Sequence, residues 1–191
     1  MKTIVYAHPY PGSFNHAILA GVVAKFKSTA TPYQVIDLYA DGFNPVLSVD
    51  DLRQYNAGGT DDPLVSKYQE MLRATDDLIL IFPTWWYDLP AILKGFFDKV
   101  MLPDFAYTSD ADGILTGKLT HIQQTTLITT AGQQLPYFTT TKTDSLKTTF
   151  MEQILPDLGL DRTTIRRFHF GTVHQTRFAS TAFLKQVVAA V

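Results

Sequence analysis

The chain has 191 residues, a formal net charge of −2 at pH 7 and no cysteine. That length fits one domain with a proper core. The missing cysteines exclude disulfides, thiolate metal sites and cysteine nucleophiles, and the absence of a basic run argues against a nucleic-acid partner. Apolar residues make up 46% and charged residues 18%, a globular balance. No apolar run approaches bilayer length, and the first one, behind a single lysine, is too short for a signal peptide. The expectation is one domain over 1–191, cytoplasmic, with no membrane insertion.

Thr3–Ala7 carries Ile4, Val5 and Tyr6 without charge and reads as a buried strand. From Phe14 a helical stripe follows, with Ile18, Leu19, Val22, Val23 and Phe26 on one side, until Thr31-Pro32 breaks it. Tyr33–Leu38 is a second strand. Tyr39–Asp62 holds Gly42, Pro45, Gly58 and Gly59 and reads as a long polar loop. Pro63 suits a first helical position, with Leu64, Val65, Tyr68, Met71 and Leu72 at helical spacing behind it. Asp77–Phe82 is continuously apolar from Leu78, as a central parallel strand must be, and Pro83 stops it. Pro90 opens a helix through Met101, its inner stripe carrying Ile92, Leu93, Phe96, Phe97 and Val100. Thr125–Thr130 is a fourth strand. Lys142–Leu155 is helical, ended by Pro156 and Gly159. Thr164–Phe170 is a fifth strand interrupted by Arg166 and Arg167, and Phe178–Val191 is a closing helix.

Strands that alternate with helices argue an α/β fold with right-handed crossovers. Five parallel strands suit a doubly wound sheet in the flavodoxin-like order 2-1-3-4-5. Ligands there bind beyond the carboxyl ends of the strands, beside the switch point. The loops His8–Asn15, Pro83–Leu89 and Ala131–Pro136 should therefore line one crevice. The first offers His8, Ser13 and Asn15, with Gly12 for close backbone approach, ahead of a helix start whose free N–H groups suit a phosphate. It has no lysine or arginine, and it matches neither G-x-x-x-x-G-K-[ST] nor G-x-G-x-x-G. Taken alone, it fits a capped helix without a ligand equally well. The second loop holds both tryptophans, Trp85 and Trp86, beside Tyr87, and offers flat faces for a planar ring or for packing under the next helix. The third, Thr129-Thr130-Ala131-Gly132-Gln133, is small enough for a ring to approach its backbone; in isolation it reads as an ordinary turn.

Two motifs carry a resemblance. His8-Pro9 followed by Ser13-Phe14-Asn15 and Ala17 resembles the H-x-x-x-x-S-F-N-x-A loop of the flavin-dependent NAD(P)H:quinone reductases. Phe82 to Val100, FPTWWYDLPAILKGFFDKV, is similar to that family's F-P-x-x-W-x-x-x-P-A-x-L-K-G segment almost position by position. The resemblance implies that His8, Ser13, Phe14, Asn15 and Ala17 hold the phosphate end of a flavin. It implies that Pro83, Thr84, Trp85, Trp86 and Tyr87 cradle its ring, and that Thr129, Thr130 and Gly132 follow the ring's other edge. Tyr87 and Tyr137 are the implied catalytic side chains at the acceptor pocket. No histidine follows the third loop until His169, which puts the family's proton relay in doubt. The chain lacks the longer members' C-terminal extension, which tilts the expectation to FMN, with FAD as the alternative.

The implied reaction passes hydride from NADH or NADPH to a quinone-like acceptor at one crevice, with ping-pong kinetics. Azo- or nitro-compound reduction is an alternative, as is a flavin-binding accessory subunit of a potassium efflux transporter; a one-electron carrier would be far more acidic. No metal is expected, since His121, His169 and His174 show no ligand spacing. The family implies a homodimer, for which Phe96, Phe97, Phe105 and Tyr107 could supply an apolar interface or simply pack inward.

Overall fold

The computed structural model describes residues 1–172 and 176–191. His174 lies outside the described residues.

The main sheet contains β1 (Lys2–Tyr6), β2 (Tyr33–Asp37), β3 (Asp77–Pro83), β6 (Gln124–Ala131) and β7 (Ile165–Gly171). Every pairing in it is parallel, and the spatial order is β2-β1-β3-β6-β7. Numbered within this sheet alone, that is the expected 2-1-3-4-5. The apolar run of β3 sits at the centre because both of its faces are covered. Leu78, Leu80 and Phe82 enter the larger core, together with Val65 and Leu72 of α3 (Pro63–Arg73) and Leu93, Phe96 and Val100 of α4 (Ala91–Val100). Ile79 and Ile81 enter the opposite core, against Ile18, Val22 and Phe26 of α1 (Phe14–Ser28) and Phe183 and Val187 of α6 (Arg177–Ala190). Residues 79 to 82 are completely buried, and each such side chain contributes roughly 1.5–3 kcal/mol.

Several elements differ from expectation. Pro83 does not stop β3: it pairs with Thr130, and Thr84 N–H donates to Thr130 C=O at 2.6 Å. The N–H that proline lacks would point to the β1 side, where pairing has already ended at Tyr6 and Ile81. The stretch 39–62 is not all loop, because α2 (Val49–Tyr55) lies within it, closed by a reciprocal cap between Ser48 and Asp51. With seven residues, none of them fully buried, α2 is too short for its apolar spacing to stand out. A two-stranded antiparallel hairpin, β4 (Tyr107–Ser109) with β5 (Leu115–Gly117), was also unexpected. The helix expected over Lys142–Leu155 is π-helical over Leu146–Ile154, follows a π turn at Tyr137–Thr141, and continues as α5 (Leu155–Asp157). Pro156 stands inside α5 rather than ending it; Gly159, at φ +96°, marks the exit.

Phe96, Phe97 and Phe105 are 1%, 6% and 9% exposed, so they are core and not interface. Phe96 packs on Tyr68 and Phe43, and Phe97 on Phe150. The KG pair of α4 has a steric reason: a Cβ on Gly95 would stand 2.3 Å from the Pro45 carbonyl oxygen, so only glycine lets segment 39–48 lie on this helix.

Candidate functional site

The three loops converge as expected. A cavity of about 260 Å³ beyond the sheet's carboxyl edge is lined by His8, Ser13, Phe14 and Asn15, by Pro83, Thr84 and Trp85, and by Thr130, Ala131, Gly132 and Thr172. A second cavity of about 200 Å³ adjoins the same loops, lined by Thr84, Trp86, Tyr87, Gln133 and Phe138.

Ser13 caps α1, its hydroxyl accepting from His16 N–H at 3.1 Å. Among the described residues, the N–H groups of Phe14 and Asn15 have no protein partner. They carry the positive end of a 15-residue helix. Asn15 is not the cap. Its side chain is 3% exposed and donates to Thr130 Oγ1 at 2.7 Å, tying the first loop to the third. His8 Nδ1 accepts from Tyr10 N–H at 3.1 Å, which leaves Nε2 as the ring's donor. Burial holds this imidazole below its ordinary value.

The second loop is a two-residue reversal. Trp85 and Asp88 exchange both backbone hydrogen bonds at 3.1 Å, and Trp86 and Tyr87 between them hold φ of +51° and +69°. Bulky L-residues adopt that region at a cost of about 1–2 kcal/mol each. Trp86 is 93% exposed and faces the second cavity, not the first; Trp85 lines the first. Tyr87 stacks on Tyr137 at 6.5 Å between ring centroids, with the two hydroxyls 3.4 Å apart. The Ser145 hydroxyl donates to the Tyr87 carbonyl and holds the reversal in place. Asp88 accepts from Leu89 N–H at 2.7 Å, on the exposed side of the loop.

Of the other expected site residues, Ala17 lies exposed in the first turn of α1 and lines neither cavity. Thr129 is fully buried beneath the third loop rather than facing the cavity. The sequence reading placed Ala131 in the third loop without a role of its own, and it missed Thr172 and Phe138 among the lining residues. It also missed the support below them, where Arg167 Nη1 meets both Asp144 oxygens at 2.8 and 2.9 Å, at 7% and 8% side-chain exposure. Arg166 reaches Gln124 Oε1 at 2.8 Å. The two arginines are tolerated within β7 because each is paired; neither interrupts the strand.

The cavity fits a phosphorylated planar ring. Two buried oxygens at it, Asn15 Oδ1 and Thr84 Oγ1, have no partner within the protein. Free amides face its α1 end, aromatic faces flank it, and no lysine or arginine lines it, so an anion here would be held by N–H and hydroxyl dipoles. No group of three or more histidine, aspartate or glutamate side chains placed to hold a metal occurs among the described residues.

A five-stranded parallel sheet in this order, with such a cavity at its switch point, defines a flavodoxin-like protein. Residues 2–189 match the family described as flavodoxin-like fold, and the chain belongs to that family. An uncharacterized NAD(P)H oxidoreductase of Haemophilus influenzae is 34% identical over 127 residues, 66% of this chain and 62% of that one. NAD(P)H dehydrogenase (quinone) 1 of Rattus norvegicus is 34% identical over 122 residues, 55% of this chain and 44% of that one. The match thus spans about half the length of these two curated relatives. The NAD(P)H:quinone oxidoreductase of Methanothermobacter marburgensis superposes with a TM-score of 0.84 at 26% identity, over 99% of this chain and 95% of that one. The resemblance read from the two motifs is borne out at the level of family.

Proposed function

We propose that the protein binds a flavin and passes hydride from NADH or NADPH to a quinone-like acceptor. The observation that carries this reading is the meeting of all three strand-end loops in one cavity, with Asn15 Oδ1 and Thr84 Oγ1 left unpartnered at it. The names of the relatives support the reaction class.

When bound, the flavin supplies the hydride-accepting and hydride-donating centre. The residues supply the rest. The amides of Phe14 and Asn15, the Ser13 hydroxyl and His8 Nε2–H hold the phosphate at the start of α1. Thr84, Trp85, Trp86 and Tyr87 seat the ring, and the Gly132 amide is placed for negative charge that develops along its edge. Tyr87, which lines the second cavity, orients the acceptor there, and Tyr137, which lines neither cavity, supports it through the contact between their hydroxyls. FMN is the expected form and FAD the alternative; this cavity accounts for the phosphate and ring that both share. A homodimer and a cytoplasmic location belong to the proposal. Val46, Val49 and Leu52, 66%, 66% and 57% exposed, give segment 39–62 apolar surface for a second copy. No helix among the described residues is long and apolar enough to cross a membrane.

The test is the visible spectrum of the purified protein, followed by release of the bound group and its mass, which separates FMN from FAD. A colourless protein with affinity for neither would overturn the proposal. Because donor and acceptor share one crevice, parallel double-reciprocal lines are expected and intersecting lines count against it. Quinones, azo compounds and nitro compounds compared under the same conditions identify the preferred acceptor.

A further inference from the structure

His169 lies on β7 beneath the third loop, with both ring nitrogens engaged. Nε2 is 2.9 Å from the Gln133 carbonyl oxygen, and Nδ1 is 2.9 Å from Thr129 Oγ1. A carbonyl only accepts, so Nε2 carries the proton. In the neutral ring Nδ1 is then an acceptor, and the Thr129 hydroxyl donates to it. That hydroxyl oxygen in turn accepts from Arg167 Nε at 3.3 Å, and Arg167 is fixed by Asp144. A directed chain results, running from the buried ion pair through Thr129 and His169 to the backbone of Gln133.

What that chain orients follows from the planar trans peptide, in which a carbonyl and the next residue's N–H point in opposite directions. The Ala131 carbonyl is drawn back by Thr172, through its N–H at 2.8 Å and its hydroxyl at 3.0 Å, so the Gly132 N–H turns outward. The Gln133 carbonyl is drawn back by His169, which pins the next peptide of the loop against β7. Among the described residues the Gly132 N–H has no protein partner. Gly132 lines the first cavity and Gln133 the second. The loop lies so close to β7 that a Cβ on Gly171 would stand 2.5 Å from the Gln133 oxygen.

We propose that His169 is a positioning residue for the bound ring: by clamping the Gln133 carbonyl it holds the third loop so that the Gly132 N–H faces the ring edge where reduction places negative charge. This rests on the flavin reading above. Phe138 packs edge-on to the imidazole at 5.3 Å and in turn contacts Tyr87, which ties the clamp to the acceptor side. Burial holds the imidazole below its ordinary value, consistent with the neutral tautomer that the hydrogen bonds require.

Donors aimed at developing charge bind the reduced flavin more tightly than the oxidised one. His169→Phe keeps a flat ring on Phe138 but loses the clamp, while the freed Thr129 hydroxyl has the Phe168 carbonyl at 3.3 Å as an alternative acceptor. The experiment compares dissociation constants of oxidised and reduced FMN and FAD for the wild type, His169→Phe and His169→Gln. The expected result for His169→Phe is reduced-flavin binding weakened about tenfold more than oxidised-flavin binding, a fall in potential of about 30 mV for a two-electron couple. His169→Gln, whose amide can donate to the same carbonyl, should stay within about threefold of the wild type. Equal weakening of both forms, or no change, overturns the positioning role. Imidazole ¹⁵N spectra of the ligand-free wild type give a flavin-independent reading: the Nε2–H tautomer is expected, and Nδ1–H refutes the clamp. A wild type that binds no flavin brings down the functional reading, while the spectrum still judges the clamp by itself.

Discussion

Replacing Trp86 by glycine should separate stability from function. Trp86 holds φ +51° at 93% exposure, so its indole contributes little packing while its backbone sits where L-residues are strained. Glycine removes roughly 1–2 kcal/mol of that strain and adds back about 0.5–1 kcal/mol through the greater freedom of its unfolded chain. The net expectation for ligand-free Trp86→Gly is a gain between zero and about 1.5 kcal/mol, a rise in Tm of up to a few degrees for a domain of this size. Urea titration of the flavin-free protein reads this directly. Flavin affinity or turnover should fall at least tenfold in the same variant, because the indole's role is at the second cavity. Trp86→Val supplies the control, since a β-branched residue is worse still at positive φ and should destabilise. If Trp86→Gly loses more than about 1 kcal/mol, the indole is packing somewhere that its exposure denies. If flavin binding and turnover are both unchanged, the second-loop assignment is wrong.

The buried pair of Asp144 and Arg167 predicts an asymmetry. Asp144→Ala strands a guanidinium at 7% exposure and should cost about 3–5 kcal/mol in urea unfolding, whereas replacing both residues by leucine should recover most of it; a loss below 1 kcal/mol in the single variant would show that the pair is not structurally coupled. Stability should also fall as the solution is acidified below pH 6.5. His169 and His8 both have folded values lowered from 6.5, so the unfolded chain binds more protons in the window beneath that value and stability declines as pH drops through it. Arg167 lowers the His169 value further and Asp144 opposes it. In His169→Phe that slope should flatten, and an unaltered urea midpoint-against-pH profile would remove His169 as its source.

The sequence by itself determined the alternation of strands and helices, the central position of Asp77–Phe82 and the three loops that share a crevice, because each leaves a local pattern. An unbroken apolar run can only be buried on both faces, and strand ends marked by proline, glycine and small polar residues announce the loops. Long, specific motifs also made the family legible. Three features needed the tertiary structure. Segment α2 has only seven residues and none is fully buried, so its periodicity is too short to stand out. The direction of the phenylalanines on α4 became clear only when Tyr68, Phe43 and Phe150 were seen to surround them. Arg167 read as an interruption of the fifth strand, and His169 as a histidine without ligand spacing, because their partners, Asp144, Thr129 and Gln133, lie 23 to 40 residues away in the chain. Local pattern reports which faces are apolar; which polar groups satisfy one another across the sheet is a matter of three-dimensional proximity. Such proximity decides whether a histidine without ligand spacing is a bystander or holds a loop in place.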